Sequence, residues 1–167
     1  MQYMKLDDTG RDTLLGELAA MPYFLRQTFG NLAPDLVTRP GPDGLFSPVE
    51  QVWHLADLEA EGFALRIERL LDEANPQLPD FDGAAIAEAR HYRSLSLSEG
   101  LERFESARRA NIGRLKAVPD GAWNNAGTQA GVGDVTLCDM PVFLRQHDEA
   151  HREEIGQWWQ SLGAPPA

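Results

Sequence analysis

The spacing of its apolar residues limits the fold of this chain more than any other feature. Between about residues 12 and 32 the apolar positions recur at steps of three and four, at Leu14, Leu15, Leu18, Met21, Leu25 and Phe29. Such spacing lines one face of an α-helix, whereas a half-buried strand needs strict alternation. No alternating segment of useful length occurs, so the sequence predicts an all-α fold. Pro22 lies inside this first helix and predicts a kink or a broken turn there.

Three further helical segments follow the same pattern. The second opens with a capping box, in which Ser47 is the N-cap, Pro48 the first helical residue and Glu50 the third. Gly163 is the expected stop of the last segment. The expected ranges of these three helices, in chain order, are about 47–74, 96–117 and 136–162.

Two long connections separate the predicted helices. Residues 76–95 are rich in proline and acids, and we expect a short helical piece at about 84–90 within them. The glycine-rich segment 124–136 is expected to be a loop. The simplest architecture is a four-helix bundle that forms one domain over residues 1–167.

Net charge excludes some partners. The charge of −11 repels phosphate backbones and anionic lipid, so we expect neither nucleic acid nor a membrane as a partner. No segment reaches the roughly 20 apolar residues of a membrane span. The N-terminus carries acids where a signal peptide needs an apolar run, and Cys138 has no second cysteine to pair with. These features predict a cytoplasmic protein in which Cys138 is structural.

Two histidines in the last helix carry the strongest chemical signal. His147 and His151 are four residues apart, so their rings lie on one helix face, one turn apart. Leu144 lies three residues before His147, and Ile155 lies four residues after His151. Both histidines therefore belong to the stripe that packs inward.

His54 has a similar position in the second helix, four residues before Leu58. Three histidines on two helices of one bundle can converge on a metal ion. Three imidazoles leave a fourth position for water or substrate, as in catalytic zinc sites. From spacing alone, metal ligation and ordinary hydrogen-bonded core histidines both stay open. His91 has no partner at ligand spacing and is expected on the surface or in a loop.

Two other metal-site interpretations fit less well. In the His-Glu-x-x-His motif of zinc proteases the residue after the first histidine is a glutamate that acts as general base. Here that residue is Asp148, which is one methylene shorter. A di-iron bundle needs two Glu-x-x-His motifs and two further inward glutamates, and the sequence does not supply them.

Two segments around these histidines resemble a known family. The segments SPVEQVWHLADLE (47–59) and HDEAHREEI (147–155) resemble those of DinB-like or YfiT-like metalloenzymes. The connection PQLPDFD and the lead-in GDVTLCDM are similar too. This resemblance implies a four-helix bundle with up-down-down-up connectivity. It also implies a bound divalent ion, with zinc and nickel as the first candidates. The ligands of this ion would be His54, His147 and His151.

The resemblance also bears on function. Some members transfer small thiols such as bacillithiol, mycothiol or glutathione, and others are thiol-dependent isomerases. We therefore expect a metal-dependent enzyme that transfers a low-molecular-weight thiol to a small-molecule substrate. A metal-dependent hydrolase and a non-catalytic metal-binding bundle are the alternatives.

Acidic residues near the histidines in sequence could orient imidazole N–H groups or act as bases. Five acids lie close enough in sequence for such a role, namely Glu50, Asp57, Glu61, Asp148 and Glu154. The catalytic candidates among them are Asp57, Asp148 and Glu154. Asp57 lies one helical turn after His54, and Glu154 lies one turn after His151.

The adjacent tryptophans Trp158 and Trp159 bear on oligomeric state. Neighbouring helical residues point about 100° apart, so both side chains are not expected to face the same core. One of them could cover a partner subunit. The pair therefore favours a homodimer.

Overall fold

A computed structural model describes residues 2–163 of the chain, and α-helices dominate it. In chain order they are α1 (Asp8–Phe29), α2 (Pro34–Val37), α3 (Pro48–Asp57), α4 (Ala64–Asp72), α5 (Gly83–Ala89), α6 (Leu97–Lys116) and α7 (Met140–Ser161). A π-helical segment, Leu58–Phe63, joins α3 to α4 without a break, so the two form one long helix. The four predicted helices and the short helix in the first long connection are therefore confirmed.

Side-chain pairs between helices give their directions. The pairs Trp53–Ser96 and Asp57–Arg103 run in the same order along both helices, so α3 and α6 are parallel. Pairs between α1 and α7 also run in the same order, namely Glu17–Arg145, Phe24–Arg152 and Phe29–Trp158. Pairs of α1 with α6 and of α3 with α7 run in opposite order, namely Leu18–Arg108, Arg26–Glu105, Gln51–Glu154 and His54–His147. The expected up-down-down-up connectivity is confirmed.

The capping box at the start of α3 is present. The Glu50 carboxylate accepts hydrogen bonds from the Ser47 N–H at 2.9 Å and from the Ser47 hydroxyl at 2.6 Å. Pro48 occupies the first turn, where its missing N–H leaves no intrahelical bond unmade. The sequence signal therefore sets the helix start, and with it the position of His54 two turns later.

Pro22 lies inside the continuous helix α1, so of the two expected outcomes, a kink or a broken first turn, the broken turn does not occur. Proline has no N–H to donate to the carbonyl four residues earlier, which here is Leu18 O. The guanidinium of Arg108 on α6 donates to that oxygen at 3.0 Å instead. The helix continues because a distant side chain satisfies the carbonyl that Pro22 leaves free.

The glycine-rich segment is not an irregular loop, so that expectation is also wrong. It forms a hairpin of β2 (Ala126–Gln129) and β3 (Gly133–Thr136), and β1 (Gln77–Leu78) pairs in parallel with β2. Gly131 and Gly133 adopt positive φ angles of 76° and 103° at the turn, which glycine does without strain. The strands are too short and too rich in glycine to show an alternating apolar pattern. The small sheet joins the two long connections and leaves the helical fold class unchanged.

Two apolar clusters form the core, and the histidines lie between them. The first cluster includes Leu144, and the second includes Ile155. His147 and His151 occupy the stretch of α7 between these two residues. The histidine cluster is therefore set into the middle of the bundle and held from both ends by apolar packing.

Both tryptophans contact the second apolar cluster, so the premise that they cannot share a core is wrong. Trp158 is buried, and its indole N–H donates to the carbonyl of Arg39 at 2.8 Å. Trp159 is partly buried and packs at the edge of the same cluster, with its ring 5.1 Å from that of Trp158. The homodimer stays a prediction. Within residues 2–163, no helix combines the length and apolar character needed to cross a bilayer.

Candidate metal centre

Three histidines converge between α3 and α7. The Nε2 atom of His147 lies 3.4 Å from that of His54 and 3.1 Å from that of His151. Nitrogens bound tetrahedrally to one zinc ion at about 2.0–2.1 Å lie roughly 3.3–3.4 Å apart. The cluster therefore has the dimensions of a site for one divalent ion. His91 is exposed in the connection after α5, as expected.

Burial keeps two of these imidazoles neutral. Burial first, and then the neighbouring charge of His151, lower the pKa of His54 to about 4. The same causes, together with His54 and two arginines, lower the pKa of His147 to about 2. At neutral pH both rings are unprotonated and present a free lone pair, which is the form that binds metal.

A hydrogen-bonded chain fixes the tautomer of His151. Its Nδ1–H donates to Gln51 Oε1 at 2.5 Å, and Gln51 Nε2 donates to Glu154 Oε2 at 2.7 Å. Glu154 Oε2 also lies 3.3 Å from His151 Nδ1. With the proton on Nδ1, the lone pair of Nε2 points at the cluster. Of the acids expected to orient an imidazole, Glu154 is the one that the structure places against a ring of the cluster.

Sequence reasoning missed Gln51. Gln51 lies three residues before His54 on the same face of α3, so its spacing could have marked it. Glutamine is less distinctive than an acid, and its partner His151 lies 100 residues away in the chain. Only the antiparallel packing of α3 against α7 brings the two side chains together.

Asp57 does not contact the histidine cluster. Its carboxylate accepts hydrogen bonds from the Tyr92 hydroxyl at 2.7 Å, from Arg90 at 2.6 Å and from Arg103 at 3.1 Å. Asp57 is one turn from His54 in sequence, but it faces α6 and the connection after α5. The structure therefore uses this carboxylate to tie those elements to α3.

Asp148 also faces away from the cluster. Its two oxygens accept hydrogen bonds from Arg108 at 2.6 and 2.8 Å, and Glu59 pairs with the same guanidinium at 3.0 Å. All three side chains are buried. A residue next to His147 in a helix points about 100° away from it, so Asp148 reaches α6 while His147 reaches α3. Asp148 is thus placed as a structural ion-pair partner.

Two more of the five acids near the histidines in sequence are held by arginines. Glu50 pairs with Arg93 at 2.9 Å, and Glu61 pairs with Arg90 at 2.8 Å and with Arg103 at 2.9 Å. Each of the four acids Glu50, Asp57, Glu61 and Asp148 is therefore held in an ion pair with at least one arginine.

Aromatic rings and one glycine enclose the cluster. The ring centroids of Phe46 and Phe81 lie 5.6 and 6.0 Å from that of His54, and Phe63 lies 6.3 Å from His147. Gly83, at the start of α5, packs directly on the His54 ring. These apolar walls reduce the access of water to the three nitrogens.

Substitution Gly83→Ala is expected to weaken metal binding on the order of 10–100-fold, the usual effect of disturbing a ligand's surroundings. An added Cβ would lie 2.5 Å from Nδ1 of His54, which forces the ring out of the cluster. Titration of zinc against a competing chelator measures the effect. Gly113→Ala on α6 is the matched control because its Cβ meets no atom within 4 Å. Equal zinc affinities in the two variants would contradict the prediction.

Comparisons with known proteins agree with this fold. The sequence profile of the DinB superfamily matches residues 17–155. The structure is similar to YfiT from Bacillus subtilis, described as a probable metal-dependent hydrolase with an unusual four-helix bundle topology. The two share 19% identity at a TM-score of 0.86, over 95% of this chain and 91% of that one.

A second solved structure also matches. It is the mycothiol-dependent maleylpyruvate isomerase, with 10% identity and a TM-score of 0.72, over 93% of this chain and 63% of that one. A sequence search of curated proteins found no significant match. At these identities the structural matches support the fold, and the histidine geometry supports a metal site independently of them.

Proposed function

Because the chain belongs to the DinB superfamily, and because its three histidines converge, we propose that it is a metal-dependent enzyme that transfers a low-molecular-weight thiol. The proposal depends on one observation: Nε2 of His147 lies 3.4 and 3.1 Å from those of His54 and His151, and one ring nitrogen of each histidine lies within 4.8 Å of the other two. An all-imidazole set suits zinc, nickel or a similar divalent ion. The ligands would be His54, His147 and His151.

The residues of the site have distinct tasks in this proposal. The three neutral imidazoles would leave a bound divalent ion its full charge, which would favour the thiolate of a bound thiol, the nucleophilic form. Gln51 and Glu154 hold the His151 ring in the tautomer that presents Nε2. Phe46, Phe63 and Phe81 limit the access of water, which would compete with the thiol.

The reaction joins the thiol sulfur to an electrophilic carbon. The bond between this carbon and its leaving group breaks, and its electron pair departs with the leaving group. The thiol proton passes to solvent. This chemistry needs no separate carboxylate base, because a thiol ionises far more readily than water. The arginine-bound states of Asp57 and Asp148 therefore fit thiol transfer better than hydrolysis. The similarity to a mycothiol-dependent isomerase points in the same direction.

Hydrolysis is the second candidate. It is favoured by the structural similarity to YfiT, described as a probable metal-dependent hydrolase. The same three histidines would serve, with water in place of the thiol. Four of the five acids named above are paired with arginines, and the fifth, Glu154, accepts a hydrogen bond from Gln51 and lies against Nδ1 of His151. These contacts leave no carboxylate of this set free to activate water, which makes hydrolysis the weaker candidate.

One experiment separates the candidates. The protein, purified without a histidine tag, is expected to contain one equivalent of zinc or nickel per chain by elemental analysis. With an aryl halide as electrophile, it should accelerate the consumption of bacillithiol, mycothiol or glutathione, and chelation should abolish this rate. Ester or amide hydrolysis without thiol would support the second candidate. Bound metal with neither activity would leave a metal-binding bundle and end the enzyme proposal.

A further inference from the structure

Among residues 2–163, the buried carboxylates and guanidinium groups are paired with opposite charges, with one exception. Arg108, at 1% exposure, contacts both Glu59 and Asp148, and Asp57 contacts two arginines. Arg66 on α4 is 5% exposed, and no carboxylate in residues 2–163 is in ion-pair contact with it. Its Nε atom is buried without a hydrogen-bond partner, and its Nη2 reaches only the carbonyl of Pro79 at 3.4 Å.

Arg66 also lies beside the histidine cluster. Its guanidinium carbon sits 5.3 Å from the ring centroid of Phe63, whose ring contacts His147. Its hydrogen-bond partner Pro79 lies two residues before Phe81, whose ring contacts His54. The unpaired guanidinium therefore packs on one aromatic wall of the site, Phe63, and its backbone partner Pro79 is close in the chain to another, Phe81.

A buried guanidinium without an anion is unfavourable, because burial disfavours the charged form. An apolar residue of similar volume would fill this space at lower cost, as in other proteins where buried charges have been replaced. The charge of exposed Asp80 acts on Arg66, but Asp80 makes no ion-pair contact with it. A ligand that brings its own negative charge would supply the direct partner that residues 2–163 do not.

We propose that Arg66 binds the carboxylate of the small molecule that occupies the histidine site. This inference rests on the proposed function, since it assigns a chemical class to the reactants of that site. A guanidinium offers a planar pair of N–H donors that matches the two oxygens of a carboxylate. The nearby charge of Asp80 and the net charge of −11 oppose a dianion, so a carboxylate is favoured over a phosphate.

The first arm of the test uses two thiols of equal length. Zinc-loaded protein is titrated calorimetrically with 3-mercaptopropionate and with 3-mercapto-1-propanol. The parent protein should bind the carboxylate thiol about tenfold or more tightly, as hydrogen bonds between charged groups predict. Arg66→Met should remove this preference and leave the affinity for the alcohol unchanged. Arg66→Lys, which keeps the charge and loses the planar pair of donors, should retain part of it.

Arg69→Met is the matched control. Arg69 lies three residues further along α4, where it pairs with Glu73 near the surface. The same loss of charge at this position should leave the preference for the carboxylate thiol intact. The thermal midpoint of unliganded Arg66→Met should equal or exceed that of the parent, whereas a purely structural Arg66 would give a lower one.

The second arm does not depend on metal. In metal-free parent protein, the Nε–H resonance of Arg66 should shift on titration with propionate and not with 1-propanol. If propionate causes this shift but the protein does not prefer either thiol, the carboxylate that Arg66 binds belongs to the electrophile and not to the thiol. That result would still support the proposal. A thiol that fails to bind while the propionate shift appears would count against the proposed function alone. The absence of both the shift and an Arg66-dependent thiol preference would overturn the inference.

Discussion

Replacing His147 or His151 by Asn is expected to remove bound metal and the proposed thiol transfer together and to leave the bundle folded. Loss of a direct ligand should weaken metal binding by more than roughly 10–100-fold, which is the usual effect of losing a residue that only hydrogen-bonds to a ligand. The fold should survive because the two apolar clusters, which do not include the histidines, supply most of the stability. Elemental analysis, the thiol assay and circular dichroism of the same preparations measure the three quantities.

The matched control is His91→Asn. His91 is exposed and has a φ angle of 52°, a backbone conformation that asparagine tolerates better than most residues. This variant should keep full metal content and full activity. Thiol transfer that persists in a metal-free His147→Asn protein would refute metal catalysis.

Arg108→Met should destabilise the protein by about 3–5 kcal/mol, as expected when one partner of a buried ion pair is removed. The substitution leaves the buried carboxylates of Glu59 and Asp148 facing each other without a cation. It also leaves the carbonyl of Leu18 without a donor beside Pro22. Urea unfolding of the parent and the variant gives the difference in free energy.

Two comparisons isolate the cause of this loss. Adding Glu59→Gln and Asp148→Asn to Arg108→Met removes the uncompensated charges and should recover part of the stability. Arg26→Met breaks the exposed pair with Glu105 and should cost less than about 1 kcal/mol. If Arg108→Met lowered the free energy of unfolding as little as Arg26→Met does, the buried ion pairs of Arg108 with Glu59 and Asp148 would not stabilise the fold.

The ion pair between Asp148 and Arg108 affects how variants of Asp148 are interpreted. A protease-type motif would make Asp148 a catalytic base, and its loss would then abolish turnover in a stable, metal-loaded protein. The structure places Asp148 on Arg108 instead, so Asp148→Ala acts on stability first. Activity of this variant is therefore compared only at temperatures where it remains folded.

The sequence by itself determined the helices and the spacing of the histidines. The apolar period of α1, the capping box at Ser47 and the glycine stop at Gly163 are local signals, and each is present in the structure. The interval between His147 and His151 places both rings on one face whatever surrounds the helix. Their inward direction could also be predicted, because Leu144 and Ile155 mark the buried stripe.

Tertiary structure decided which partner each polar side chain has. Asp57, Asp148 and Glu154 look equivalent in sequence, yet the first two bind arginines and only Glu154 reaches a ring of the cluster. The reason is physical: a helix fixes the direction of a side chain, but its partner belongs to another helix, distant in sequence. Spacing places Gln51 on the same helix face as His54, but its partner His151 lies 100 residues away in the chain. No local pattern in the sequence singles out Arg66. The contact of Gln51 depends on which group the packed bundle places beside it, and the proposed role of Arg66 depends on the lack of an ion-pair partner in residues 2–163.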